Sequence, residues 1–478
     1  MPTISDRRII PLKKKIKEDT LVKLTEKQKN RVLLSSNTGN EDFGRYSLLS
    51  FNPLMKIYYE RGVLVCEDCD GRKIYEKSDF RKALSTFCTP LESCFGSKKE
   101  HPFFKGVWAG FMSYESTGFI ESVPRADEDL HPVPDICFVF SDVFIVSDHV
   151  SDKSFLVILD TSASEESMDI RRTEALKSIS GVSEISVENI KTGEAEIVSY
   201  CSRKTYINII EKIKNYIEEG DVYQVNFTVP FKITSAELSG NLFIEYIRKN
   251  PVDFAAFMNF RGREIISISP ESFFSLRGSK IAAHPIKGTI RRGKNCEEDK
   301  FLREQLLKSS KDRAELSMIV DLLRNDIGKI AEKASVSVEN HASLLKFPTL
   351  YHLVSEIIGF TDASRSEIIT SLFPGGSITG APKIRAMEII TECEKYRRGV
   401  YTGAVGWIGY SEDMAFNIPI RTIQRVNDKL FYHSGGGIVL DSDPQKEYEE
   451  MLVKVRSFVN IFSSVRSRDF YICGVLDD

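Results

Sequence analysis

The chain has 478 residues, 42% hydrophobic and 28% charged, and its 65 Lys and Arg against 68 Asp and Glu leave a formal net charge of -3. That length exceeds what one growing core supports, so two domains or two intertwined halves are expected, and the globular composition excludes a disordered or collagen-like chain. Near-neutrality with scattered basic residues gives no electrostatic footprint for nucleic acid or anionic lipid, so neither nucleic acid nor membrane is expected as a partner.

Met1 to Arg8 lead into a Lys-rich stretch without the apolar core of a secretory signal. No apolar run approaches the roughly 18 residues of a membrane span, and a cytoplasmic location is expected. The nine cysteines are odd in number and dispersed. Their single Cys-x-x-Cys pair, Cys66 and Cys69, lacks the second pair or histidines that would suggest zinc, and two reduced thiols are the simpler reading.

Residues 20–160 read as short β segments with turn punctuation, for example Ile136 to Val146 between Pro134 and Asp148. From 161 to 200 the chain turns to Ser, Glu and Lys, a connector with room for one helix. The expected division is an N-terminal region 1–160, this connector, a catalytic region 201–460 and a tail 461–478. Within the catalytic region, Tyr206, Ile210, Ile213 and Ile217 mark a helix that Ser202 or Thr205 caps and Gly220 ends. A β run follows from Val222 to Phe231. A helix carrying Ala314, Met318 and Leu322 is interleaved with Asp312, Arg313 and Glu315, and Pro382 suits the first position of a helix reaching Lys395. Strands are expected over Val400 to Tyr410, Met414 to Ile423 and Leu430 to Ser434, then a helix from near Pro444. No fixed-period repeat is evident.

Four stretches carry more glycine, charge and hydroxyl than a plain core needs. Glu271 leaves a strand just after Pro270, a fixed direction suited to a general acid or base; a solvated strand end is the bland alternative. Lys287, in Pro285-Ile286-Lys287-Gly288-Thr289, is an amine held against apolar chain where a ligand can approach, although most lysines only solvate a surface. Asp312 and Glu315 share a helix face, as do Glu447 and Glu450, so two helices could hold a divalent cation. Oxygen-only ligation favours magnesium over zinc, while exposed salt bridges with Arg313 and Lys446 are the commoner fate. Finally, Phe373 to Lys383 delivers free backbone N–H groups to a helix start, and Gly435-Gly436-Gly437 offers more beside Arg421 and Lys454, which suits a substrate with two carboxylates.

In order and spacing these stretches resemble the chorismate-utilising enzymes, the anthranilate synthase component I-like family, over residues 200–458. The strings Lys311 to Glu315, Arg324 to Gly328 and Phe373 to Lys383 carry the likeness, with a weaker match over 30–150 that includes Gly44 to Ser47 and Gly106 to Tyr114. The resemblance implies an α+β fold of two large antiparallel β-sheets packed together, with flanking helices and intertwined subdomains. It implies Glu271 as acid/base carboxylate, a magnesium site of Glu315 and Glu450 supported by Glu447 and Asp312, and His352 facing the ring. Gln224, Thr289, Ser377, Tyr401, Arg421, Gly435, Gly436, Gly437 and Lys454 would complete the substrate cradle.

Members differ in what attacks the ring. Isochorismate and salicylate synthases place a lysine where Gln224 stands, and anthranilate synthases usually have alanine where Lys287 stands. Aminodeoxychorismate synthases have the lysine. The branch so resembled implies attack by Lys287 on carbon 2 of chorismate, loss of the 4-hydroxyl assisted by Glu271 and magnesium, and addition of ammonia at carbon 4. The product would be 4-amino-4-deoxychorismate, for para-aminobenzoate and folate synthesis. No cysteine sits in a glutaminase-type elbow, so ammonia is expected from a partner glutamine amidotransferase. The alternatives are an anthranilate synthase component I that carries a lysine, and a non-catalytic subunit binding chorismate or tryptophan. Relatives bind tryptophan between two stretches whose equivalents here, Leu33 to Ser36 and Asn250 to Ala255, lack the usual glutamate and second proline. They leave Ser36, Pro251 and Phe254 as a candidate tryptophan site.

Overall fold

The computed structural model describes residues 3–26, 30–36, 44–51, 53–68, 71–88, 101–162, 166–181, 192–260, 262–346, 350–411 and 413–467. Cys69 and residues 468–478 of the expected tail lie outside them. Among these residues the chain forms two large sheets, of 13 and 12 strands, with helices around them, the expected α+β architecture. Pairing between strands is antiparallel except where Glu194–Ser199 lies parallel to Ser464–Ser467. Each sheet draws strands from both 1–160 and 201–460, so the two regions share both sheets.

The period of two along a strand assigns the cores. Val32 faces one apolar cluster, between the sheets, with Ile57, Phe138 and Phe274. Leu33, the next residue, faces another that the larger sheet forms with helices, among them Ile210, Phe243, Ile389 and Val455. The strand Gln224–Thr234 lies mid-sheet and is buried through most of its length, which explains why it reads as a continuous apolar run.

Two antiparallel ribbons pass from one sheet into the other. In the first, Tyr46–Phe51 pairs with Val143–Asp148 in the larger sheet and continues as Met55–Glu60 paired with Ile136–Phe140 in the smaller. In the second, Arg263–Ser269 pairs with Thr422–Val426 and continues as Ser272–Arg277 paired with Met414–Asn417. The apolar runs Ile136 to Val146 and Met414 to Ile423 are therefore two strands each. An apolar pattern persists across a corner, because both sheets bury it.

Other boundaries move as well. The helix Arg203–Glu218 is capped by Ser202, whose Oγ accepts from Thr205 N–H at 3.1 Å, and buries Tyr206, Ile210 and Ile213. Helix Ser310–Gly328 buries Leu316, Ile319, Val320, Leu323 and Ile327 rather than the Ala314 stripe, since the smaller sheet covers that face. Pro382 precedes helix Lys383–Cys393 as its N-cap, one position earlier than expected. The connector holds the helix Met168–Ser180 and the strand Glu194–Ser199, and the expected tail supplies the sheet edge Ser464–Ser467.

Candidate active site

The second ribbon's corner holds Glu271. Pro270 ends the pairing, and the corner is pinned by three bonds: Ser269 Oγ to Ile418 O (2.5 Å), Glu271 N–H to Ser269 Oγ (3.2 Å) and Ile418 N–H to Glu271 O (3.1 Å). Ser377 Oγ, from the glycine-rich stretch, donates to Glu271 Oε1 at 2.5 Å. Burial raises the Glu271 carboxyl above its ordinary range, against the opposing pull of that bond and of the Lys287 charge. A carboxyl held in this state can both give and take a proton.

Lys287 lies on strand Ile286–Arg291, opposite Leu353, and the ladder slips between Lys287 and Thr289. Gly288 makes the bulge with φ +74°, and a Cβ there would lie 2.9 Å from Asp312 Cβ. Only glycine meets both demands, and it brings the first turn of helix Ser310–Gly328 against the lysine strand. Asp312 is engaged with the capping Ser309, whose Oγ also accepts from Asp312 N–H at 3.2 Å. On the neighbouring strand, His352 Nδ1 meets Thr289 Oγ1 at 2.8 Å. Burial, with the Arg421 charge adding to it, pushes the imidazole down to about 4, so it is neutral near pH 7.

Helix Pro444–Val459 starts with proline at its first position and Asp443 as cap, and presents Glu447 and Glu450. Burial raises Glu447, with the Glu450 charge adding, although Ser442 Oγ donates to it at 2.7 Å. Glu450 is held down by Lys454 at 3.0 Å and further by Lys311 and Lys287. Lys311 stands 3.9 Å from Glu315 and also acts on Glu447, so its ammonium lies in the field of all three carboxylates. Among the described residues no three His, Cys, Asp or Glu groups converge as a ready metal cage. The like-charged pair Glu447 and Glu450 still fits magnesium, which binds through one or two carboxylates together with substrate and water.

The triglycine runs along strand Lys429–Ile438, where Lys454 Nζ donates to Gly435 O at 2.8 Å. A Cβ at Gly435 would lie 1.9 Å from Phe227 O, and one at Gly436 would stand 3.4 Å from Lys454 Nζ. Beside Gly437, at 2.8 Å from where its Cβ would be, is the Gln224 Nε2. That amide is 3% exposed and its Nε2 finds no partner among the described residues, a buried donor awaiting an acceptor. Tyr401 is raised by burial and feels the Glu271 charge, and Arg421, with φ +51°, occupies the other side of the same corner.

Hydrogen bonds and charge effects together link Glu271, Lys287, Ser377, Tyr401, Glu450, Lys454 and the triglycine, with His352 and Arg421 adjoining and Glu315 reached through Lys311. Sequence reasoning missed the buried Arg398. It bonds Glu394 (2.6 Å), Ile378 O (2.9 Å) and Asn226 O (2.8 Å), tying the Ser377 stretch to the Gln224 strand. The i,i+4 spacing of Glu394 and Arg398 was its only visible signal.

The candidate tryptophan residues do not converge. A cavity of about 750 Å³ is lined by Leu34, Ser35, Phe254 and Trp407, among others, with neither Lys287 nor Glu271 in its wall. Phe254 lines it, but Ser36 is buried with its N–H on Ser47 Oγ, and Pro251 is exposed. The cavity is lined by Ser35, whose hydroxyl donates to the half-buried Glu18 carboxyl, itself pushed up to about 7 by desolvation.

The family model described as chorismate binding enzyme matches residues 30–460. Aminodeoxychorismate synthase component 1 of Bacillus subtilis (strain 168) is 33% identical over 93% of this chain and 94% of its own length. Anthranilate synthase component 1 of Aquifex aeolicus (strain VF5) is 32% identical over 94% of each. Among solved structures, anthranilate synthase component I from Streptococcus pneumoniae TIGR4 superposes with a TM-score of 0.78 at 30% identity, covering 88% of this chain and 93% of that one.

Proposed function

The chain belongs to the chorismate binding enzyme family, and from that premise we propose that it is the component I of an aminodeoxychorismate synthase. The observation that carries this reading is the setting of Lys287: an amine at a strand bulge whose charge acts on both Glu271 and Glu450. An amine so placed suits a nucleophile, beside a carboxyl that burial inclines towards its protonated form and so towards assisting the leaving group.

In the reaction, the Lys287 amine, having given up its ammonium proton, bonds through its lone pair to carbon 2 of chorismate while the ring double bond shifts and the 4-hydroxyl departs as water with a proton from Glu271. Ammonia then bonds to carbon 4, the double bond returns, and the carbon–nitrogen bond to lysine breaks. The enolpyruvyl group stays, and water is the net loss. Arg421, Lys454 and the N–H groups of Gly435 to Gly437 would receive a substrate carboxylate, with Gln224 Nε2 a further donor. His352, neutral and hydrogen-bonded to Thr289, would face the ring without adding charge, and Ser377 orients the Glu271 carboxyl. Glu447 and Glu450 would hold magnesium, with Glu315 across Lys311 as a further carboxylate in its field, and the ion when bound offsets the negative charge of the ring carboxylate. The ammonia would come from a partner glutamine amidotransferase.

The test is product analysis with chorismate, magnesium and ammonium. 4-Amino-4-deoxychorismate is expected, and Lys287→Ala should lower its formation by at least about a hundredfold. Fluorescent anthranilate with release of pyruvate would replace this reading with that of an anthranilate synthase component I, which the comparable identity of the Aquifex aeolicus relative favours.

A further inference from the structure

Behind Tyr401 two imidazoles meet. His131 comes from the loop before strand Ile136–Phe140, and His433 from strand Lys429–Ile438, two residues ahead of the triglycine. Their Nε2 atoms lie 3.0 Å apart, and the rings are 0% and 2% exposed. A bond between two ring nitrogens needs one to donate and the other to accept, so the accepting ring is neutral and the protonation of one ring is tied to that of the other. Burial agrees, pushing His131 down to about 4 and His433 well below its ordinary value.

The surroundings hold this pair against Tyr401 and the segment before it. His433 stacks on the Tyr401 ring with centroids 5.4 Å apart and planes 20° from parallel. His131 fits against Gly399, where φ is +65° and a Cβ would lie 2.8 Å from the imidazole. Gln424, 3.5 Å from His131 Nε2, accepts from Val400 N–H at 2.7 Å and donates to Arg398 O at 2.9 Å. The segment 398–400 that leads into Tyr401 is thus fixed by groups touching the imidazoles.

We propose that the His131–His433 pair is a positioning element of the candidate active site, fixing the Tyr401 ring beside Glu271 and the strand that carries Gly435 to Gly437. Neither histidine touches substrate. The inference rests on the proposed reading of the Glu271 centre, and it adds a device that spans the N-terminal and catalytic regions.

The experiment is a double-mutant cycle with Tyr401→Phe, using two His433 variants. His433→Phe keeps a ring against Tyr401 and loses the bond, whereas His433→Gln keeps an amide within reach of His131 and loses the ring. His433→Phe is expected to lower kcat for chorismate consumption between about 10-fold and 100-fold, the scale of a misplaced group. In the Tyr401→Phe background the same change should matter less than about twofold, with His433→Gln intermediate. Equal effects in both backgrounds, or parental kcat in His433→Phe, would overturn the proposal. If His433→Phe does not fold, His131→Gln enters the cycle with the same expectations. Equilibrium binding of chorismate separates the two ideas. A parent that binds chorismate without consuming it refutes the proposed reaction, and the pair is then judged by the same non-additivity in Kd. A parent that does not bind chorismate overturns both.

Discussion

The two sheet-crossing ribbons solve the same architectural problem with opposite chemistry. Among the described residues of the first corner, polar groups answer one another: Ser50 and Ser141 share a hydroxyl bond, Asp142 O accepts Leu159 N–H at 2.7 Å, and the Asp142 carboxylate meets the Arg171 guanidinium. Asp142 and Arg171 are 4% and 8% exposed. At the second corner the carboxyl and the guanidinium, Glu271 and Arg421, are not paired with each other. Burial raises the carboxyl, and the arginine holds a left-handed backbone. Paired charges close a corner, and unpaired ones leave it ready for a ligand that supplies the missing partners.

That contrast can be broken at either corner. The largest effect is expected from Glu271→Gln, which should cost about 10²- to 10⁴-fold in kcat. Because the folded carboxyl titrates above its unfolded value, its ionisation costs stability as pH rises, so the glutamine variant should unfold at or above the parental denaturant midpoint at neutral pH. An equal loss of stability and activity would make this corner structural too. Arg171→Met should do the reverse, destabilising by about 3 kcal/mol in urea unfolding because it strands a buried carboxylate, with kcat per folded molecule unchanged.

Smaller effects sharpen the picture. Ser377→Ala removes the bond that lowers the Glu271 carboxyl. The limb of the kcat profile that reports this group should move to higher pH, by about one unit or less. A downward shift would contradict the assigned bond. Ser50→Ala should cost about 1 kcal/mol by chemical denaturation and leave that pH profile in place.

Some of this was legible in residues alone. The stripe Tyr206, Ile210 and Ile213, the Ser202 cap and the Pro444 start appear where expected, since helix periodicity and capping are local properties of a few neighbouring side chains. Glu271, Lys287, Ser377 and the triglycine stood out because glycine, proline and charge at close spacing serve no plain core. The strand ends at the corners were hidden, because burial by either sheet leaves the same apolar signature.

The sequence by itself determined which residue types the catalytic region brings to a ligand, and the likeness of their order placed the chain among enzymes acting on chorismate. Only the tertiary structure decided that Glu271 and Arg421 come to one ribbon corner, that Gly288 lies against Asp312, and that His131 reaches across 302 positions to His433. Local propensity is set within a few residues of chain. Contacts between distant segments are chosen by how two sheets bury their faces against one another, and that choice is made by the whole chain at once.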